Sequence, residues 1–436
     1  MRIFFLALVA SASAYPLVAS WKPSVTQLTG ADRKRFLHGL CSNDINAMPV
    51  SGTKEAAVLD GRGNTKSLLM VVDDDERLLV LGAEGAGAEQ HHFFDKYVFP
   101  ADDVAVADCS GSFCSCYEIV GEQAGAVLTS SAVLGSEASL PAAGSAVRVS
   151  LADDVSGSAV LLGQGSLGGS SACQSFALLV EGDDEACEAG VGAALEAAAV
   201  KLGGGLASSY DALRIRRGRP QAGCEFGEGA PLKDASPLWL GLWAHVHLDK
   251  GCYLGNEVIA RVARARRQKH ELFGLDFGGA STKDGALEGG VLAQGAAVVF
   301  SAAAEAKDAA EEAEMVEEAR LAAQEEEAVA SDAAKAVGVV TSALPAEGFA
   351  LALLRPPHQR AGTRVSVGGA VAEVVDLPFA TRAGEQAGGG GGGPGGDGGD
   401  TEEDQSAAEA KAKAEADRKA AKLAAMQAKM KALGLA

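Results

Sequence analysis

The pattern of apolar and polar residues predicts a mixed α+β unit at the start of the chain. In "ADRKRFLHGLCSNDINAM" (31–48), three apolar residues share one helical face, which predicts a helix that ends near Asn43 and Asp44. "EAAVLD", "TKSLLMVV" and "ERLLVLG" predict three strands joined by short turns, and "AEQHHFFDKYVF" predicts a second helix. Helices that alternate with antiparallel hairpins indicate a first α+β lobe over residues 22–115.

The apolar periodicity weakens after residue 115, and from residue 270 it changes to a pattern of short strands and turns. Residues 116–267 combine short apolar runs with many Ala, Gly and Ser residues, which predicts a second α+β lobe with long loops. Residues 270–382 contain short strands separated by turn residues, which predicts a small C-terminal β-barrel.

Three low-complexity segments add length without predicted chemistry. The acidic segment, residues 303–335, holds eleven acidic and three basic residues among alanines, so we expect a solvated insertion in a barrel loop. Residues 383–405 predict a flexible glycine-rich linker. Residues 406–436 predict a helical tail with a narrow apolar stripe, which fits either a solvated helix or a helix that docks on a partner.

The first residues resemble a targeting signal. Residues 1–14 combine a basic start, a short apolar run and small residues before Tyr15, which is typical of a signal peptide and not of a membrane span. The junction resembles plastid presequences of algae with secondary plastids. Because the eight cysteines are dispersed, as expected in a reducing compartment, we predict a chloroplast location, with the mitochondrion or the secretory pathway as alternatives.

Composition excludes some classes of partner. The formal net charge of −20 argues against binding nucleic acid or anionic membrane through the whole surface. The spacing between Cys109 and Cys116 matches no common zinc or iron–sulfur pattern, so we expect a strand and a turn there and predict no metal site.

The densest candidate chemistry is "DKGCYLGNEVIAR", residues 249–261. Cys252 lies between two glycines, and Lys250 could favour its thiolate. The helix predicted after it would direct N–H groups toward the thiol, and Asn256 and Glu257 could hydrogen-bond the edge of a pyrimidinone-type ring. The alternative from spacing alone is a small buried cysteine in a tight turn.

Several motifs together resemble one family. "KGCYLGNE" resembles the K-G-C-[FY]-x-G-Q-E signature of YgfZ-type proteins, the tetrahydrofolate-binding relatives of the glycine-cleavage T-protein. "FLHGLCSNDI", "VLDGRGNTKSLLMVV" and "LRIRRGRPQAGCEF" are similar to further family motifs. The resemblance covers roughly residues 22–382 without the acidic segment.

This resemblance implies a three-lobed ring of the aminomethyltransferase folate-binding type, followed by the barrel. It implies tetrahydrofolate, or a one-carbon derivative, as cofactor, Cys252 as the functional thiol with Lys250 beside it, and six residues lining the pocket: Asn43, Asp44, Arg214, Glu225, Asn256 and Glu257. The chain departs from the pattern at Asn256, where Gln is usual, and at Arg216, where Glu is common.

The function implied is support of iron–sulfur cluster assembly or repair, with iron–sulfur client or assembly proteins as partners. Aminomethyltransferases carry an aspartate where this chain has Ser67 and Leu68, so we do not expect that reaction. A one-carbon transferase with a relocated carboxylate, at Asp60 or Asp73, is one alternative. A role linked to tRNA, through the basic run 261–269, is another.

Overall fold

The computed structural model describes residues 15–380, with gaps at 132, 135–138, 153–156, 166, 168–173, 183–184, 266–267, 279–291 and 301–335. The predicted signal peptide, acidic segment, linker and helical tail lie outside the described residues.

Two groups of strands follow one another. The first group contains β1 (Leu17–Trp21), β2 (Ser24–Thr29), β3 (Thr53–Leu59), β4 (Thr65–Asp74), β5 (Arg77–Gly82), β6 (Ala105–Asp108), β7 (Phe113–Gly121), β8 (Ala146–Ser150), β9 (Ser158–Leu162), β10 (Gln174–Glu181) and β11 (Gly205–Leu206). The second group contains β12 (Glu271–Asp276), β13 (Ala297–Phe300), β14 (Ala336–Leu344), β15 (Phe349–Leu354), β16 (Arg364–Val367) and β17 (Ala370–Val375). The described helices are α1 (Arg33–Leu40), α2 (Gly87–Asp95), α3 (Ala124–Ser130), α4 (Glu185–Lys201), α5 (Tyr210–Arg217) and α6 (Asn256–Ala265).

The first group forms two sheets that pack face to face. One sheet has the order β3-β4-β5-β2-β6, and the other has the order β11-β1-β7-β10-β9-β8. Their facing side chains share one apolar cluster, in which Met70 and Leu79 of the first sheet meet Val160 and Leu179 of the second. Residues of α1 and α2 join the core on the outer face of the first sheet, and residues of α3 and α4 join that of the second.

This layering explains why the central strands read as continuous apolar runs. Residues 68–73 of β4 and 78–82 of β5 are buried on both sides, because one face meets a helix layer and the other meets the second sheet. The alternation expected of a half-buried strand is therefore missing. The predicted strand–turn–strand–turn–strand order over 53–82 is confirmed.

The second sheet crosses the predicted lobe boundary at residue 115. Strand β7 spans residues 113–121, and its residues 116–120 pair with β1, near the start of the described chain. The predicted strand and turn around Cys109–Cys116 correspond to a short 3-10 turn, Ser110–Ser112, followed by β7. The pairing partner of β1 lies about a hundred residues away, which local periodicity does not reveal.

Ion pairs join the two sheets at one edge. Glu181 accepts hydrogen bonds from Arg77 at 3.0 Å, Arg148 at 2.6 Å and Ser158 at 2.5 Å, and Asp74 accepts from both arginines. Burial would raise the pKa of Glu181, but Ser158 and the arginines outweigh burial and hold that pKa below its usual value. The two sheets are therefore held together by charge as well as by apolar packing.

The predicted barrel is confirmed. Strands β12-β15-β14-β13-β16-β17 close on themselves through the pairing of β12 with β17. Apolar side chains from these strands fill the interior, among them Phe273, Val340 and Val374. A separate cluster packs the outer side of the barrel against residues 235–263, which carry the Cys252 motif.

Candidate functional site

Cys252 lies exposed in a turn that we call the thiol turn, residues 249–255. The backbone at Gly251 (φ 103°) and Gly255 (φ 84°) is left-handed, which favours glycine at both positions. A Cβ at Gly255 would lie 2.5 Å from the carbonyl oxygen of Asp60, whereas a Cβ at Gly251 would meet no atom within 4 Å. The start of α6 thus packs directly against the turn between β3 and β4.

These two glycines give a matched test of that packing. Gly255→Ala should lower the free energy of unfolding by about 2–4 kcal/mol, because it adds a clash with backbone to the left-handed strain. Gly251→Ala should cost about 1–2 kcal/mol, from strain alone. Urea unfolding of both variants measures the difference, and equal costs would show that the contact with Asp60 does not constrain the turn.

Lys250 connects the thiol turn to the loop after α1. Its Nζ donates to the carbonyl oxygens of Cys41 at 2.7 Å and Asn43 at 2.9 Å, and also to that of His38. Burial lowers the pKa of Lys250, although Cys41 and Asp44 oppose this shift. Helix α1 ends at Leu40, before the predicted end near Asn43, because Cys41 turns to extended backbone (φ −126°, ψ 167°); the Lys250 ammonium then bonds carbonyls at this end.

Asn43 and Asp44 lie close to Lys250, whose ammonium donates to the Asn43 carbonyl. Asn43 is almost fully buried; its Nδ2 donates to the carbonyls of Glu55 (2.7 Å) and Ala244 (3.1 Å), and its Oδ1 accepts from the Asp44 N–H. The Asp44 carboxylate lies 3.2 Å from His38 Nδ1 and accepts from the Ala47 N–H. Burial would raise the pKa of Asp44, but that N–H bond and nearby cations hold it below its usual value.

Asn256 and Glu257 form the first turn of α6, directly after the thiol turn. Glu257 is exposed and Asn256 is half-buried, while Ile259 and Ala263 of the same helix face the core. Their position at a helix N-terminus, one turn from Cys252, agrees with the predicted arrangement. A carboxylate and a carboxamide are therefore presented beside the thiol.

Arg214 and Glu225 bind each other instead of facing solvent. Helix α5 begins at a cap in which Ser209 Oγ accepts from the Ala212 N–H, so that Arg214 points inward from its second turn. Arg214 Nη1 donates to Glu225 Oε2 at 2.8 Å, and Ser342 of β14 bonds both groups. Arg214 is 2% exposed and Glu225 0% exposed, so this ion pair joins α5 to the barrel.

A second buried ion cluster was not predicted from the sequence. Glu55 pairs with Arg219 at 2.7 Å and lies 3.2 Å from His245 Nε2, and Phe379 packs on the Arg219 guanidinium and the His245 ring. Burial would raise the pKa of Glu55, but His245 and Arg219 hold it below its usual value. The one available signal was a glutamate within the apolar strand "TKEAAVL", which is weak evidence by itself.

The carboxylates considered for a relocated transferase site are engaged elsewhere. Asp60 accepts from the N–H groups of Arg62 and Asn64 and from the Asn64 side chain, so it holds its own turn. Asp73 is 2% exposed and pairs with Lys34 at 2.6 Å. Ser67 and Leu68, where the resemblance places the aspartate, are half-buried and buried on β4.

The basic run after the thiol turn is partly described. Arg261 and Arg264 are exposed on α6, and Lys269 is exposed just before β12. Arg266 and Arg267 lie outside the described residues. These residues form a solvent-exposed cationic face next to the thiol turn.

Two cavities of the described chain lie away from the thiol turn. One, of about 410 Å³, is lined by residues that include Val18, Tyr117 and Leu206. The other, of about 560 Å³, lies at the edge where Arg77 and Arg148 join the sheets. Neither is lined by a predicted site residue.

Comparison with known proteins identifies the fold. Aminomethyltransferase T of the glycine cleavage system from Bartonella henselae superposes with a TM-score of 0.57, covering 87% of this chain and 90% of that chain, at 15% identity. The chain therefore has the aminomethyltransferase T fold, which confirms the predicted fold class.

Sequence comparison gives a shorter match. A chloroplastic protein of Arabidopsis thaliana that carries the name "putative transferase" is 38% identical over 69 residues. This match spans 16% of the present chain and 15% of the relative's length. No protein-family model matches the chain. Within the described ranges, no helix is both long and apolar enough to cross a membrane.

Proposed function

We propose that this protein is a YgfZ-type, tetrahydrofolate-binding factor that supports iron–sulfur cluster assembly or repair, and that it acts in the chloroplast. The observation that carries the proposal is the exposed thiol of Cys252, held in a firmly anchored turn on an aminomethyltransferase fold that lacks the expected aspartate. The chloroplastic relative and the predicted signal peptide support the location.

Folate binding is supported at the start of α6. Glu257 can accept hydrogen bonds from adjacent ring N–H groups, and Asn256 can both donate and accept, which suits a pterin edge. Both N–H groups of the Asn43 amide already donate to protein carbonyls and its Oδ1 accepts the Asp44 N–H, so its part would be to shape the pocket. Arg214 and Glu225, predicted to line the pocket, neutralise each other; we assign them to the joint with the barrel. Bound tetrahydrofolate would supply a one-carbon carrier.

The same geometry argues against aminomethyl transfer. That reaction needs charge control at the folate nitrogen, and Ser67 cannot provide a carboxylate. Asp60 and Asp73 are both committed to structural partners. The name of the plant relative favours a transferase as the second candidate, which would need a carboxylate such as Asp44 near the ligand.

Cys252 is the group to which we assign the assembly role, through transient binding of iron or sulfur. Clients or assembly proteins could reach it because Cys252 and the neighbouring Leu254 (46% exposed) are both accessible. The exposed Arg261 and Arg264 could instead favour RNA, which is the third candidate.

Replacing the thiol separates these candidates. In cells that lack the protein, Cys252→Ser should fail to restore the activity of an iron–sulfur enzyme, while its affinity for tetrahydrofolate stays near that of the wild type. Cys224→Ser, at a half-buried cysteine outside the turn, is the matched control and should restore activity. Full rescue by Cys252→Ser would overturn the assembly role, and folate turnover by either protein would establish the transferase.

A further inference from the structure

The side chains of His38 and Lys250 each contact the backbone carbonyl of the other residue. The Lys250 ammonium donates to the backbone carbonyl of His38, and the Nε2 atom of His38 lies 3.2 Å from the backbone carbonyl oxygen of Lys250. That carbonyl belongs to the thiol turn, two residues before Cys252. Because a carbonyl can only accept, this contact requires a hydrogen on Nε2.

The other ring nitrogen faces a carboxylate. His38 Nδ1 lies 3.2 Å from Asp44 Oδ1, and the Asn46 N–H approaches the same nitrogen at 3.5 Å. A neutral ring carries one hydrogen and cannot donate to both the carbonyl and the carboxylate. A protonated ring carries two and can donate to both, but its Nδ1 can then no longer accept the Asn46 N–H.

The charges around the ring come from three elements. Asp44 attracts a proton to the ring, and Lys250 repels it. Lys54 of β3 and His247, before the thiol turn, both act on Asp44, and the Cys41 thiol is buried nearby. Burial first, and then Lys250, lower the pKa of His38, while the pKa of Asp44 also stays low, so Asp44 is ionised when the ring titrates.

We propose that His38 is a positioning residue for Cys252: its neutral imidazole donates to the Lys250 carbonyl through Nε2 and accepts the Asn46 N–H through Nδ1, and ring protonation loosens the thiol turn by removing the second bond and adding a charge beside the Lys250 ammonium. This inference deepens the proposed function, since it concerns the thiol that we assign to cluster assembly. The turn is held more firmly at neutral pH and more loosely at acidic pH, because protonating a group whose pKa is lowered in the folded state costs stability.

Hydrogen–deuterium exchange of the full chain tests this directly. The readout is the protection factor of the peptide over residues 249–255, which corrects for the intrinsic effect of pH on exchange. Wild type, His38→Gln and His38→Ala are compared at about pH 5 and about pH 8, on either side of the ordinary histidine pKa of about 6.5. His92→Gln, at an exposed histidine of α2, is the matched control.

We expect wild-type protection to fall by roughly three- to tenfold at the acidic pH, the effect of losing one hydrogen bond. His38→Gln can donate to the carbonyl but does not titrate, so its protection should be independent of pH, while His38→Ala should be less protected at both values. His92→Gln should behave like the wild type. Equal pH dependence in the wild type and His38→Gln, or unchanged protection in a folded His38→Ala, would overturn the proposal. Folate and cluster assays play no part in this readout, so its failure is distinct from failure of the proposed function.

Discussion

Replacing Arg214 by methionine should lower the free energy of unfolding by about 3–5 kcal/mol, because it leaves the carboxylate of Glu225 buried without its cation. Glu225 is 0% exposed and would keep the Ser342 hydroxyl and a backbone N–H as hydrogen-bond donors. Neither donor carries the charge that compensates a buried carboxylate. Urea unfolding followed by circular dichroism measures the change.

A double variant separates the unpaired charge from lost packing. Arg214→Met combined with Glu225→Leu removes both charges, and it should recover much of the stability lost by the single variant. Asp211→Asn, at the 57% exposed partner of Arg214, should cost under about 1 kcal/mol. If Arg214→Met were as stable as the wild type, the ion pair could not be the joint between α5 and the barrel, and a role for both residues in a ligand pocket would regain support.

Lys250→Met should also have a large effect, lowering the free energy of unfolding by about 2–4 kcal/mol. Three backbone carbonyls, those of His38, Cys41 and Asn43, would lose a charged donor. The loop 41–44 and the thiol turn should both loosen, which deuterium exchange of the two peptides would detect. Lys66→Met, at an exposed lysine of β4, is the control and should change stability by under about 0.5 kcal/mol.

The outcome for Lys250→Met also decides what this lysine does. A stable Lys250→Met protein whose Cys252 reacts more slowly with iodoacetamide would show that the ammonium serves the thiol. An unstable protein with a mobile 41–44 loop would show that it serves the backbone, as its three carbonyl contacts indicate.

Local patterns predicted the elements of this fold because their causes are local. The apolar runs of β3, β4 and β5, the amphipathic face of α1 and the glycine-bounded turn at Cys252 were all visible in short windows. The aminomethyltransferase fold came from motif resemblance, since no periodicity specifies how lobes are joined.

Contacts between residues that are far apart in the chain could not be predicted from the sequence. The carbonyls that Lys250 contacts lie more than two hundred positions earlier in the chain, and Arg219 pairs with Glu55, which is 164 positions away. The motif grouped Arg214 and Glu225 with the pocket because pattern matching cannot tell a charge that faces a ligand from one that faces another charge. Burial distinguishes the two cases, and it is a property of the assembled fold.

The site has two layers of residues, one buried and one exposed. Buried contacts of Lys250, Asn43 and the Glu55–Arg219 pair fix the loops, and exposed groups at Cys252, Glu257 and half-exposed Asn256 remain for a ligand or a partner. Substitutions in the first layer should therefore change stability, whereas substitutions in the second should change binding.

Calorimetric titration of the protein with tetrahydrofolate, wild type beside Glu257→Ala, tests the central claim most directly. The account predicts saturable binding by the wild type and its loss in Glu257→Ala, with unchanged thermal stability because Glu257 is exposed. Absence of binding by a folded wild-type protein would contradict the claim, and the role of Cys252 would then have to be explained without folate.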